Sequence, residues 1–278
     1  MTRPEPKPGT ADTNPRATAA PALPPLLKWL GGKRWLAPDI AALYAGHRQR
    51  RLVEPFCGGL AVALGLRPRE ALLNDANPHL INFYTWIQRG LIIRIALEND
   101  AATYYNHRTR FNDLIARGRS GDPEAAMLFY YLNRHGFNGL CRFNRRGDFN
   151  VPFGRYRRTR CATRFEAHRQ QLASWRFQSR DFARLRLRPS DFVYADPPYD
   201  DAFTQYGAES FSWDDQVRLA HWLARHPGPV VLSNHDTDRV RTLYQDLGFR
   251  IVQLHAPRRI SANGDRTPAR ELLALRNV

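Results

Sequence analysis

Hydrophobic positions along the chain fall into short apolar runs separated by stretches of helical period. The runs at 51–56 (RLVEPF), 71–75 (ALLND), 175–179 (WRFQS), 191–196 (DFVYAD), 229–234 (PVVLSN) and 249–255 (FRIVQLH) read as strands. Between them, 77–88 reads as a helix with Asn77 as its cap and Pro78 at its first position. Residues 91–118 and 123–135 carry amphipathic helical patterns, and so do 214–225 and 236–246. Strands alternating with helices predict an α/β architecture with a mostly parallel sheet.

The stretch from 91 to 172 breaks that alternation. It is helical and basic, and at 140–153 it turns to an alternating pattern around Arg146-Gly147-Asp148, which reads as a β-hairpin or a structured loop. The division this predicts is a Pro-rich tail at 1–24 expected to be disordered, a sheet domain from 25–90 and 173–278, and a subdomain at 91–172 inserted into it.

Composition narrows the class. Hydrophobic residues are 43% of the 278, enough for a packed core. No apolar run reaches the roughly 18 residues of a membrane helix, and the N-terminus has no apolar signal core, which argues against secretion. Three cysteines (Cys57, Cys141, Cys161) without C-x-x-C spacing argue against a disulfide framework and against a cysteine-rich zinc site. The nine histidines show no metal spacing, so no metal is expected, and a reducing cytoplasmic setting fits.

Charge changes the picture more. The formal net charge is +16, and 39 of the 42 cations are arginine. A uniform compositional bias would spread this charge. Instead, Arg134 to Arg188 holds 15 arginines against Asp148, Glu166 and Asp181, which is +12 of the total. That concentration points to a nucleic acid partner.

The sharpest local signal is Asp196-Pro197-Pro198-Tyr199, directly after the apolar run at 191–195. Two prolines make a rigid extended turn, and α/β sheets bind ligands at the carboxyl edge of their strands. The exocyclic amine of adenine or cytosine is a poor nucleophile, because its lone pair is delocalised into the ring. A carboxylate and a backbone carbonyl that accept its two N–H groups draw the nitrogen toward sp³ and favour the positive charge that develops on it. Asp196 and the Pro197 carbonyl suit that role, and Tyr199 suits stacking on a base turned out of its helix.

Two further elements are weaker alone. Lys28-Trp29-Leu30-Gly31-Gly32-Lys33 offers close backbone approach and two of the chain's three lysines, without phosphate-loop spacing. Glu54-Pro55-Phe56-Cys57-Gly58-Gly59 is a strand running into a glycine turn, and Asp75 ends the next strand, where an acid commonly holds ribose hydroxyls.

Taken together these segments resemble the Dam-type DNA adenine-N6 methyltransferases. The matching stretches are 26–40, 52–59, 72–84, 131–156 (YLNRHGFNGLCRFNRRGDFNVPFGRY), 193–199 (VYADPPY), 233–237 (SNHDT) and 260–275, in the family's order and covering nearly everything from residue 26. The resemblance implies a Rossmann-like, S-adenosylmethionine-dependent methyltransferase sheet domain with an inserted, largely helical DNA-recognition subdomain carrying the hairpin. It implies Asp196, Pro197, Pro198 and Tyr199 as the catalytic motif. It implies Trp29, Lys33, Phe56, Gly58, Asp75 and Asp196 around the cofactor. Lys28, Phe137, Asn138, Leu140, Arg142, Pro152 and Tyr156 would meet double-stranded DNA, with Phe137 as wedge, Asn138 on a phosphate and Arg142 on a guanine edge. The substrate implied is adenine in duplex DNA, usually within GATC, and the complete motif set implies a self-sufficient monomer beside the nucleoid.

The chain departs from the family pattern where Leu60 follows the glycine turn in place of a glycine, and where Phe137 stands for the commoner tyrosine. The Asp-Pro-Pro-Tyr chemistry alone leaves open cytosine N4 or RNA adenine as acceptors. A catalytically silent DNA-binding homologue or a partner-dependent subunit are the other readings.

Overall fold

Seven strands form one sheet in a computed structural model that describes residues 22–199, 211–256 and 269–278. Most of the tail predicted at 1–24, the connection after Tyr199, and the first part of the 260–275 segment lie outside the described residues. The strands are β1 (Leu52–Glu54), β2 (Ala71–Asn74), β3 (Trp175–Gln178), β4 (Phe192–Ala195), β5 (Val230–His235), β6 (Arg250–Ala256) and β7 (Ala269–Arg276). Their spatial order is β3-β2-β1-β4-β5-β7-β6. β1 to β5 pair in parallel, and β7 pairs antiparallel with both β5 and β6.

Every residue of β1, β2 and β4 is buried, as befits parallel strands covered on both faces. Successive residues serve opposite cores. Leu52, Leu73, Tyr194 and Val231 face one cluster, while Val53, Leu72, Val193 and Leu232 face the other. The second cluster is closed by α7 (Trp213–Ala224) and α8 (Asp238–Asp246), which bury Leu219, Leu223, Val240 and Tyr244. Ser212 and Asp215 form a capping box at the start of α7.

On the first face, α3 (Pro78–Gln88) begins as expected, with the Asn77 side chain accepting from the His79 and Leu80 amides. The crossover from β2 to β3 then takes in α4 (Ala101–Ala116), α5 (Pro123–His135) and α6 (Glu166–Leu172), numbered after α1 (Ala37–Tyr44) and α2 (Ala61–Leu66). Phe111, Phe129, Tyr130 and Phe149 of this block share a continuous core with Phe83 of α3.

Two expectations are corrected. The helix predicted over 91–118 begins only at Ala101. Residues 91–100 are non-helical, with Leu91 and Ile93 buried on alternate positions, Ile93 N–H bonded to the Thr163 carbonyl, and Asp100 capping the helix that follows. The sequence pattern predicts no strand in the last segment, yet β7 there lies between β5 and β6 and makes that half of the sheet antiparallel. The 140–153 loop is a hairpin held by isolated bridges at Gly136–Phe153 and Phe143–Phe149 rather than by a full ladder.

Candidate active site and DNA-facing surface

Chain order reverses between β1 and β4. β1 leads outward through β2 to β3, and β4 leads the other way to β5. That switch point is where an open α/β sheet leaves a crevice beyond its carboxyl edge. A cavity of about 830 Å³ opens there, lined by residues 29–33, 54–59, 74–76, 180–182 and 196–199, with Glu271 at its side.

Asp196 leaves the end of β4 and is held from two directions. Its Oδ1 accepts the Ser233 hydroxyl at 2.7 Å and lies 3.2 Å from Lys33 Nζ. The turn after it is fixed by a buried polar chain. Gln216 donates to the Pro198 carbonyl at 2.7 Å, and Asn234 Nδ2 donates both to Gln216 Oε1 and to the Tyr244 hydroxyl. The 233–237 segment thus supports the motif from behind. Tyr199 donates its hydroxyl to Glu271 Oε2 at 2.7 Å, and the His235 ring lies 4.9 Å from its own.

Lys33 is buried, and its Nζ donates to the Gly31 carbonyl and lies 4.4 Å over the Tyr199 ring. It therefore belongs to the Asp196 cluster as much as to the cavity wall. Trp29 lies against the glycine turn, where a Cβ on Gly58 would sit 2.7 Å from the indole nitrogen, so only glycine fits (φ +44°). Gly58 N–H donates to Asp75 Oδ2, and Asn77 N–H to Oδ1, so Asp75 ties the two strand-end turns together. Burial still pushes its carboxyl above the usual range. Leu60, the departure from the glycine pattern, adopts the left-handed conformation (φ 59°, ψ 23°) that glycine favours, with its side chain buried.

Several site residues went unread in the sequence. Glu54 is 2% exposed on the cavity wall, with Oε1 unpartnered among the described residues, and burial with Asp196 nearby pushes its carboxyl well up. Phe56, which was expected, packs with Phe182 and Phe211 in an aromatic corner, 5.6 and 5.5 Å away. Arg218 binds Asp181 bidentately at the rim, both bonds 2.8 Å.

The expected DNA-contacting residues gather on a separate surface. Phe137, 46% exposed, and exposed Asn138 (φ 51°) form a 3-10 turn after α5. The Phe137 amide donates to the carbonyl of exposed Pro152, joining the two arms of the hairpin. Half-buried Leu140 and exposed Arg142 follow, with Arg142 Nε bonded to Asn150 Oδ1 at 2.8 Å. Lys28 Nζ donates to the Arg134 carbonyl at 2.8 Å and lies 3.5 Å over the Tyr156 ring. Five positions along the chain thus carry it from the hairpin surface at Lys28 to the cavity at Lys33.

Among the described residues no helix is long and apolar enough to cross a membrane, and no group of three or more His, Cys, Asp or Glu side chains could hold a metal ion.

Comparison with known proteins gives consistent matches. Residues 29–260 match the family described as D12 class N6 adenine-specific DNA methyltransferase. The chain is 37% identical over 270 residues to the DNA adenine methylase of Escherichia coli K12, covering 90% of this chain and 94% of that one. It is 38% identical over 270 residues to the DNA adenine methylase of Salmonella typhi, with the same coverage. It is 35% identical over 265 residues to the retron Ec67 DNA adenine methylase of Escherichia coli, covering 90% of each.

Proposed function

Since the chain belongs to the D12 class of N6 adenine-specific DNA methyltransferases, we propose that it moves the methyl group of S-adenosylmethionine to adenine N6 within GATC in duplex DNA. The observation that carries this reading is Asp196-Pro197-Pro198-Tyr199 at the sheet's switch point, braced by Ser233 and Gln216 beside a cavity large enough for the donor.

The cavity's chemistry suits that donor. Glu54, with a buried oxygen lacking a partner among the described residues, suits an ammonium group, and Asp75 has acceptor capacity left for ribose hydroxyls. The corner of Phe56, Phe182 and Phe211 suits a flat heteroaromatic ring. S-adenosylmethionine, when bound, supplies an electrophilic methyl group on a sulfonium. The protein's part is to prepare the nucleophile. Asp196 and the Pro197 carbonyl accept the two N–H bonds of the target amine, and Tyr199 stacks on the flipped base. The amine nitrogen forms its bond to the methyl carbon as the carbon–sulfur bond breaks, and the surplus proton on nitrogen leaves to solvent. No dedicated base is needed.

In this reading residues 25–90 and 173–278 carry the chemistry, and 91–172 recognise the target. Phe137 wedges the duplex, and Arg142, presented by Asn150, reads a guanine edge. Exposed arginines such as Arg157 and Arg158 meet phosphates only. The enzyme acts as a monomer on nucleoid DNA without an obligate protein partner.

Lys28 gives this surface a pH dependence. Burial and the neighbouring Arg134 pull its pKa down from 10.5 to about 8. A depressed amine destabilises the folded state fully below about 8 and progressively less up to 10.5, so this contribution to stability improves with rising pH. DNA binding runs the other way, because the charged form that meets the duplex is lost as pH passes upward through about 8. Affinity for the target duplex, measured by anisotropy from pH 7 to pH 9.5, is expected to fall across that range by about five-fold more than in a Lys28→Arg variant. Parallel profiles would remove Lys28 from the interface.

The direct test is transfer of labelled methyl from S-adenosylmethionine to a duplex with one GATC, against a duplex with GTTC. Product nucleosides are identified by mass. N6-methyladenine in the first duplex alone supports the reading. N4-methylcytosine, or equal labelling of both, overturns it.

A further inference from the structure

Glu271 is a buried carboxylate whose two side-chain partners among the described residues both belong to the site. It lies on β7, directly opposite His235 of β5, and is 8% exposed. Tyr199 donates its hydroxyl to Oε2 at 2.7 Å, and Lys33 Nζ lies 4.0 Å from the same oxygen. Lys33 also lies 3.2 Å from Asp196 and 4.4 Å over the Tyr199 ring. Three distant parts of the chain therefore close into one cluster of Lys33, Asp196, Tyr199 and Glu271. A buried carboxylate is costly unless paired and hydrogen-bonded, and here the compensation comes from Lys33 and Tyr199, neither of them on β7.

A tyrosine ring turns about two side-chain torsions, and a hydrogen bond at its far end fixes the first, which sets where the ring lies, while the axis of the second runs through the hydroxyl oxygen and leaves the ring plane to the groups beside its faces. Tyr199 follows two prolines that restrict the turn before it, the bond to Glu271 fixes the direction of its side chain, and Lys33 and the His235 ring lie beside the ring itself. We propose that Glu271 is a positioning residue for methyl transfer, fixing the place of the Tyr199 ring against which the target base stacks. The proposal rests on the reading of Tyr199 as that base's platform.

The experiment compares the affinities of the full-length enzyme, with S-adenosylhomocysteine present, for two duplexes. One carries the adenine of the enzyme's own methylation site, and the other an abasic residue in its place. The ratio of the two reports what the flipped base gains in its pocket, and phosphate contacts cancel. Glu271→Ala is expected to shift the ratio about five-fold against adenine and lower kcat about ten-fold, with KM for the donor within about two-fold of wild type. Glu271→Gln keeps an acceptor for the hydroxyl and is expected to hold the ratio within about two-fold of wild type. Tyr199→Phe deletes the same bond while leaving β7 intact, and is expected to reproduce the shift. An unchanged ratio in Tyr199→Phe overturns the proposal even if Glu271→Ala does not fold. So does a Glu271→Gln enzyme as impaired as Glu271→Ala. Tyr199→Ala separates the two levels. If it too leaves the ratio unchanged, the platform reading fails. If it shifts the ratio and Tyr199→Phe does not, the role of Glu271 alone is lost.

Discussion

An Asp196→Ala enzyme is expected to lose at least about a thousand-fold in kcat while binding its target duplex within about two-fold of wild type. The reason is positional. Asp196 lines the cavity, among Lys33, Ser233 and the motif turn, whereas Phe137, Arg142 and Lys28 lie on the hairpin surface. Removing the carboxylate takes away an acceptor for the amine and the negative charge that faces the developing cation. It leaves the hairpin surface proposed to meet the phosphates untouched. Asp196→Asn keeps the shape but not the charge, and is expected to recover only a small part of the rate. Single-turnover methylation and fluorescence anisotropy on the same preparations check both halves. Near-full methylation by Asp196→Ala would end the mechanism outlined above.

The largest expected loss of stability lies at the opposite end of the sheet. Arg51, just before β1, binds Asp191, just before β4, through Nε at 2.9 Å and a terminal nitrogen at 2.7 Å. Asp191 is fully buried and also accepts the Arg188 amide, while Arg51 reaches the Arg186 carbonyl. This pair fastens the amino ends of the two central strands whose carboxyl ends carry Glu54 and Asp196. Arg51→Met leaves a buried carboxylate without its counter-ion and is expected to cost about 3–5 kcal/mol, lowering Tm by about 10 °C. Arg51→Met with Asp191→Leu removes both charges, and is expected to be the more stable of the two variants. Thermal melts of both variants decide this. Equal losses would mean that packing rather than the uncompensated charge dominates.

What could be read from the sequence was local. The central strands were legible because parallel strands covered on both faces are continuous apolar runs, and α3 was legible because Asn77 and Pro78 announce its start. Asp-Pro-Pro-Tyr was legible because four adjacent residues carry its chemistry. The misread stretches had mixed signals. Leu91 to Asp100 precedes a true helix and its apolar residues extend the helical pattern toward the N-terminus, although Leu91, Ile93, Ile95 and Leu97 lie deeper than Ile92, Arg94, Ala96 and Glu98 in the alternation of an extended chain. β7 carries Arg270 and Glu271 near its start, which hid the apolar run of Leu272 to Leu275. Glu271 could have been singled out as a lone acid beside that run, but its partner Tyr199 lies 72 positions away. The pairing of Lys33 with Asp196 and of Arg218 with Asp181 likewise depends on how the sheet folds, so no spacing rule exposes it.

Modified-base sequencing of DNA from a methylation-deficient host expressing this protein tests the central claim most directly. The account predicts N6-methyladenine at GATC, absent when Asp196→Ala is expressed instead. Unmodified adenine throughout, in cells that contain the soluble protein, would contradict it.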